Sequence, residues 1–239
     1  MAAGPPVSSP QATSSLPPAV AVVVVRQGRL PAGADDAVAD AGGTALLVGS
    51  GTEDGGRSLT AAERVLWSET GDGLRPAALA ARLAPWLRQS SLVLLPASAD
   101  GRDLAPRLAA RLGRPLLAAA ETVALDTRSG RPPRVTAALS RLDDRVLVDV
   151  TVDGPAVTTV VPRRREVTAA TGVATIERWA VGADRADWTT PTADPEVVGV
   201  LAPDLATLDL ADATVVVAGG AGLASGLDDG GARAAKGVE

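Results

Sequence analysis

The chain has 239 residues, of which 46% are hydrophobic, and a net charge of −5 at pH 7. It contains no histidine and no cysteine, which excludes a Ser-His-Asp hydrolase, disulfides and thiolate metal sites, and argues against a zinc enzyme. The acidic balance, with both signs of charge interspersed, argues against a nucleic-acid binder.

The first 18 residues are rich in proline and serine and contain no lysine or arginine. The apolar run that follows is short and has neither a basic region before it nor a small-residue cleavage pattern. This pattern predicts a disordered leader followed by a core strand, and not a secretory signal peptide. Since no apolar segment is long enough to span a membrane, the sequence predicts a cytoplasmic protein without direct membrane insertion.

The next hundred residues alternate between strand and helix patterns. Residues 19–25 are continuously apolar and β-branched, which is typical of a strand buried on both faces. The predicted strands are 19–25, 44–52, 63–69, 91–98 and 115–125, and the predicted helices are 34–43, 74–89 and 100–113. We expect Pro85 to bend or end the second helix. Asp100 is the expected N-cap of the third helix and Gly113 its end, and residues 53–62 are expected to form a loop.

The second half of the chain has a different pattern. Residues 132–165 show strand, turn, strand, turn, strand, with LDD and VDGP as turn signals, which predicts an antiparallel addition to the sheet. Residues 166–213 are polar and irregular, with one further strand expected at 197–201. The predicted fold class is α/β, with a three-layer, mostly parallel sheet, helices on both faces and an antiparallel hairpin at one edge.

Near the C-terminus an apolar run enters a glycine-rich turn formed by Gly219, Gly220, Ala221 and Gly222. One interpretation is a strand followed by a backbone cradle for phosphate. The alternative is a flexible turn after an edge strand, because a GGxG turn without its helix lacks the dipole that attracts anions. The tail after this turn has no apolar periodicity and is expected to be disordered.

Residues 91–123, SLVLLPASADGRDLAPRLAARLGRPLLAAAETV, resemble the electron transfer flavoprotein alpha subunit family. The family carries a strand, a small-residue turn and a G-[KR]-x-L-x-P-R-x-A-A-x-L-G helix. The matching residues are Gly101, Arg102, Leu104, Pro106, Arg107, Ala109, Ala110, Leu112 and Gly113.

Three further segments resemble the same family in the same order. VVVVRQGRL resembles its first strand and turn, residues 135–161 resemble its strand pair ending in T-V-R-P, and LDLADATVVVAGGAGL resembles the start of its FAD domain. The overall composition is similar to that of the mycofactocin-associated branch.

The resemblance implies a domain organisation and a function. Residues 1–18 would be the leader, 19–210 the N-terminal domain, and 211–239 a truncated stub of the FAD domain with Gly219, Gly220, Ala221 and Gly222 contacting FAD. The protein would be an electron carrier and not a substrate-transforming enzyme. It would form a heterodimer with a beta subunit and pass electrons from a dehydrogenase donor to a quinone oxidoreductase-type acceptor.

Three positions depart from the family pattern. Ala221 replaces an arginine that contacts FAD, Val161 replaces the arginine of T-V-R-P, and Ala119 replaces an aspartate. The family's later flavin motifs, S-R-x-x-V-D-x-G-W, Q-T-G and G-I-S-G-A, do not occur in the sequence, so we expect FAD binding to be incomplete as written. The alternatives are a non-catalytic α/β interaction module that has lost the flavin, and an independent nucleotide-binding domain.

Gly101, Arg102 and Asp103 follow a strand, where open α/β sheets place ligands. They fit either a nucleotide site or a capped helix start; the resemblance favours the second, because it implies that the family's AMP is held by the beta subunit. Arg163, Arg164 and Arg165 fit a partner surface or, more commonly, a solvated loop.

The four tryptophans have different expected roles. Trp67 and Trp86 lie within strand and helix patterns and are expected in the core. Trp179 and Trp188 lie in a polar stretch, where an interface and a core position are equally compatible with the sequence.

Overall fold

The computed structural model describes residues 15–128, 131–162, 167, 169–179, 194–195 and 198. The chain divides into two compact units, Met1–Val197 and Val198–Glu239, and all the elements below belong to the first. Val198 aside, the strand predicted at 197–201 and the whole of 211–239 lie outside the described residues. Within the described ranges, no helix is long and apolar enough to cross a bilayer.

The described part of the chain contains nine strands and four helices. The strands are β1 Ala19–Val25, β2 Thr44–Gly49, β3 Arg64–Glu69, β4 Leu92–Pro96, β5 Leu116–Asp126, β6 Arg134–Arg141, β7 Val146–Asp153, β8 Ala156–Val160 and β9 Thr175–Arg178. The helices are α1 Ala34–Asp40, α2 Thr52–Ser58, α3 Pro76–Leu87 and α4 Ala99–Leu112.

All nine strands form one sheet in the order β7-β6-β5-β8-β4-β1-β2-β3-β9. Pairing is parallel from β5 through β8 to β9, and antiparallel between β5, β6 and β7. This confirms the predicted fold class. The antiparallel pairing predicted for the last of these three strands was wrong. That strand, β8, returns to the middle of the sheet and lies parallel between β4 and β5. All five of its residues are buried, as a central strand requires.

The sheet is buried on both faces around β1 and β4, which are apolar at every position. In β1, Ala21 and Val23 pack into the cluster that contains α1, whereas Val20 and Val22 pack into the cluster that contains α3 and α4. Successive side chains of a strand point to opposite faces, so a continuous aliphatic run supplies two cores. The helices therefore lie on both faces, as predicted.

Helix α2 corrects the loop predicted at 53–62. Its sequence, TEDGGRS, suggested a loop because glycine is a poor helix former. Gly55 and Gly56 are buried against the sheet, and a Cβ on Gly55 would lie 2.9 Å from Cγ1 of Val25. The glycines permit a close approach of helix and sheet. The helix propensity of the local sequence does not reflect this contact.

Two helix boundaries also differ from the prediction. Helix α3 continues through Pro85 to Leu87, so Pro85 does not end it. The N-cap of α4 is Ser98, whose Oγ accepts a hydrogen bond from the Gly101 N–H at 3.1 Å, and Asp100 lies instead in the first turn. Gly113 ends α4 in the left-handed conformation (φ 64°), as predicted.

Strand β9 was not predicted, and it explains the position of Trp179. The Trp179 ring is 5% exposed and meets Trp86 edge-on, with 5.1 Å between ring centroids. Trp179 is thus a core residue, whereas the core position expected for Trp86 was wrong, since 39% of it is exposed. Trp67 is half-buried, with the Arg178 guanidinium 5.6 Å from its ring centroid. Trp188 lies outside the described residues.

Candidate functional site

The chain changes direction across the sheet between β1 and β4. From β1 it moves to β2 and β3 on one side, and then returns to β4 on the other side of β1. Open α/β sheets bind ligands outside the carboxyl ends of the strands at such a switch point. Here that crevice lies between Arg26, which directly follows β1, and the start of α4 after β4.

An internal ion pair fills this crevice. Arg26 donates from Nε to Oδ2 of Asp100 at 2.8 Å and from Nη2 to Oδ1 at 2.7 Å. Its Nη1 donates to the backbone oxygen of Asp72 at 2.6 Å. Hydrogen bonding to Asp100 raises the pKa of Arg26 above its ordinary value, although partial burial opposes the shift. The cation at the switch point is therefore bound to the protein's own carboxylate, in the bidentate geometry that a phosphate would otherwise take.

Gly101 is fixed by a close approach of helix and strand. A Cβ at this position would lie 1.9 Å from the backbone oxygen of Pro96, a distance that no side chain tolerates. Arg102 and Asp103 are exposed on the outside of the helix. These positions agree with a capped helix start packed tightly on its strand.

The start of α2 is also occupied by a carboxylate. Glu69, the last residue of β3, accepts hydrogen bonds from the Gly51 N–H at 2.9 Å and from the Thr52 N–H and hydroxyl at 3.2 and 2.9 Å. The N-terminal N–H groups of a helix attract anions. Glu69 satisfies these donors from within the chain.

The same arrangement occurs at the start of α3. Asp194 accepts from the Ala77 N–H at 2.6 Å and from the Ala78 N–H at 2.8 Å. Together with Ser98 on α4, side chains of the protein cap the three helices that begin after β2, β3 and β4. A nucleotide phosphate entering this edge of the sheet would have to displace one of these caps, which at α2 and α3 would leave a carboxylate without its donors.

Sequence reasoning missed Arg26, Glu69, Asp72 and Asp194. A signal was available for two of them, because Arg26 and Glu69 are charged residues at the carboxyl ends of apolar strands.

Beside the ion pair lies a small cleft lined by Val24, Gly49 and the loop 70–75. Among the residues that the structure describes, no group of three or more acidic side chains is placed to hold a metal ion.

Two of the three departures from the family pattern lie next to each other. Ala119 lies at an irregularity in the pairing of β5 with β8, with φ 58°, and its N–H donates to Oγ1 of Thr159 at 2.9 Å. The Val161 N–H donates to the oxygen of the adjacent Ala120 at 3.0 Å. The chain thus carries two small or apolar residues at one place where the family pattern has an acid and a base.

The other predicted site residues fall outside the described part of the chain. These are Gly219, Gly220, Ala221 and Gly222, and the basic run Arg163, Arg164 and Arg165. Their proposed roles stay predictions.

Comparison with known protein families shows what the chain is similar to. A family model described as "Electron transfer flavoprotein domain" matches residues 37–184, more than half of the chain. No curated protein matches the chain significantly. The matched range extends from within α1 to beyond β9, and so includes strands β2 to β9, whereas β1 and Arg26 precede it.

Proposed function

Because the chain belongs to the electron transfer flavoprotein family, we propose that it is an alpha-type subunit of such a protein. The family is flavin-associated, and its members normally form heterodimers. In this proposal the chain pairs with a beta subunit and takes part in carrying electrons from a dehydrogenase donor to a quinone oxidoreductase-type acceptor. Its composition favours the mycofactocin-associated branch.

The filled crevice at the switch point is the observation that carries the alpha assignment. The resemblance places the family's AMP in the beta subunit and leaves the alpha N-terminal domain without a nucleotide. In this chain Arg26 is held by Asp100, and Glu69 and Asp194 cap the neighbouring helices. These contacts support a scaffold domain over a nucleotide-binding one.

The described residues at the switch point offer a phosphate no unoccupied helix start, because Glu69, Asp194 and Ser98 cap the helices there and Asp100 binds Arg26. We therefore propose that Gly219, Gly220, Ala221 and Gly222 contribute to FAD binding together with groups outside the described residues. When bound, FAD supplies the redox chemistry. A carrier that performs no acid–base chemistry on a substrate needs no histidine or cysteine, in agreement with the composition.

A second candidate function is favoured by the residue at position 221. Ala221 stands where the family pattern has an FAD-contacting arginine, and alanine offers no charge to the cofactor. This favours a non-catalytic α/β module that keeps the subunit contact and has lost the flavin.

Co-expression separates the two candidates. If the chain is an electron carrier, the full chain purified with a beta subunit shows a visible flavin spectrum, whereas the chain alone is colourless. Ala221→Arg should raise the ratio of flavin to protein in the pair, whereas Ala221→Asp, the matched control, should lower it. A stable but colourless heterodimer for all three proteins would reject the electron carrier and support the module. Stabilisation of the lone chain by a nucleotide in a thermal unfolding assay would instead favour an independent nucleotide-binding domain.

A further inference from the structure

The helices on the two faces of the sheet carry opposite charges. Helices α1 and α2 pack on one face, and α3 and α4 pack on the other. The stretch that contains α1 and α2 has one arginine, Arg57, and six acidic residues: Asp35, Asp36, Asp40, Glu53, Asp54 and Glu63. The stretch that contains α3 and α4 has two aspartates, Asp100 and Asp103, and seven arginines: Arg75, Arg82, Arg88, Arg102, Arg107, Arg111 and Arg114. The fold thus separates charges that are interspersed in the sequence.

Internal pairing does not neutralise the basic side. Asp100, one of its two aspartates, is bound to Arg26, which lies outside both helices. On the acidic side the arginine is already paired, because Arg57 binds Glu53 and Asp54 of its own helix. The face formed by α3 and α4 therefore keeps an excess of positive charge in a protein whose net charge is −5.

Most of the arginines on α3 and α4 are available to a partner. Arg107 and Arg114 donate to backbone oxygens, which carry no compensating charge. Four further guanidinium groups form no hydrogen bond and no ion pair with the described residues. They belong to the exposed side chains of Arg75, Arg88, Arg102 and Arg111, which we call the basic face. Like charges on one surface repel each other, so an acidic surface placed against them would relieve this repulsion.

An exposed aromatic side chain lies on the same pair of helices. Trp86 of α3 is 39% exposed and stands two residues before Arg88. Tryptophan and arginine are the residue types that are enriched at protein interfaces and contribute most to binding there. The combination of a half-exposed tryptophan with uncompensated arginines therefore favours a protein partner.

We propose that the basic face, together with Trp86, is a docking surface for an acidic surface of a partner protein. Guanidinium groups bind carboxylates through two parallel hydrogen bonds, and a charged face of this kind accelerates the encounter with a partner of opposite charge. The inference goes beyond the proposed function and does not depend on it.

Other anionic occupants fit this face less well. Nucleic-acid-binding proteins usually have a high isoelectric point, whereas that of this chain is about 4.9. An anionic bilayer is an extended surface that would also repel the acidic remainder of the protein. A second copy could place its acidic face against the basic face, but this contact is heterologous. It would leave one free face of each kind and continue into an open chain of copies.

The test measures the binding of a fluorescein-labelled deca-glutamate peptide to the full-length chain by fluorescence anisotropy in about 20 mM NaCl. The wild type should bind the peptide saturably. The triple variant Arg88→Glu/Arg102→Glu/Arg111→Glu should bind at least about tenfold more weakly. About 200 mM NaCl should weaken the binding of the wild type more than that of the triple variant.

A second triple variant is the matched control. Arg29→Glu/Arg131→Glu/Arg145→Glu reverses the same number of charges at exposed positions outside α3 and α4, so it changes the net charge equally. Its affinity for the peptide should fall by less than about threefold. Far-UV circular dichroism verifies that both variants fold. If the basic-face variant does not fold, the same three arginines are replaced by glutamine, which should weaken binding by at least about threefold.

Four outcomes would overturn the proposal. The first is that the wild type binds deca-glutamate no better than a glycine–serine peptide of the same length. The second is an equal loss of affinity in the two triple variants, which would assign the attraction to net charge. The third is binding of phosphatidylserine vesicles or of a single-stranded oligonucleotide without binding of the peptide. The fourth is that the wild type forms oligomers in sedimentation experiments and the basic-face variant does not, which would make a second copy the occupant.

Discussion

Replacing Gly101 with alanine is expected to destabilise the protein by about 3 kcal/mol. Gly101 lies in the first turn of α4, where alanine is intrinsically the better helix former by about 1 kcal/mol. The new Cβ, however, would lie 1.9 Å from the backbone oxygen of Pro96. Since backbone atoms of strand and helix cannot give way as a flexible side chain can, α4 must move away from β4. Chemical denaturation of the full chain measures the loss.

Gly73→Ala is the matched control for this prediction. Gly73 lies in the loop before α3, has no positive φ, and has no atom within 4 Å of the position of a Cβ. Its replacement should change the free energy of unfolding by less than about 0.5 kcal/mol. Equal effects of the two substitutions would show that α4 does not approach β4 as closely as described.

Replacing Trp179 with alanine is expected to cost roughly 3 kcal/mol. The side chain is 5% exposed and packs among leucines of the core and against Trp86. Trp179 directly follows β9, and its backbone N–H donates to the backbone oxygen of Trp67 at 2.7 Å. The loss of the ring therefore leaves a cavity and weakens the attachment of β9 to the edge of the sheet.

Trp86→Ala serves as the comparison. It removes the same contact between the two tryptophan rings, but the side chain that is lost is the exposed one of the pair. It should cost about 1 kcal/mol. The denaturant midpoints of the two variants measure which substitution destabilises the protein more. If Trp179→Ala were no more destabilising than Trp86→Ala, Trp179 would not be the core residue that the structure indicates.

The parallel half of the fold was predictable because its signals are local. Continuous aliphatic runs such as residues 19–25 identify strands buried on both faces, and the glycine after α4 marks its end. These patterns need no knowledge of distant contacts. The alternation of such strands with helices then leaves few arrangements other than a parallel sheet.

The elements that were missed depend on contacts that are distant in sequence. β8 resembles the strands before it, and only its pairing with β4 and β5 separates it from the antiparallel hairpin. Helix α2 contains two glycines whose role is visible only against the sheet. Ser98 and Asp100 are both good N-cap residues; in the structure Ser98 caps α4, while Asp100 binds Arg26, which is 74 residues away in sequence.

The candidate site was the least predictable part for the same reason. Glu69 and Asp194 are single acidic residues in the sequence, and neither has a neighbouring motif. Their function as caps depends on helices that begin 17 and more than 100 residues away. The sequence did indicate the switch point as a place to examine, through Gly101, Arg102 and Asp103, but it did not show that the chain fills that crevice itself.

A calorimetric titration of AMP into the full-length chain tests most directly whether the side chains of the protein close the crevice at the switch point. We predict no saturable binding up to about 1 mM AMP, because Arg26 is held by Asp100 and the neighbouring helix starts are capped. Saturable binding with a dissociation constant at or below about 0.1 mM would contradict a self-filled crevice and with it the alpha assignment.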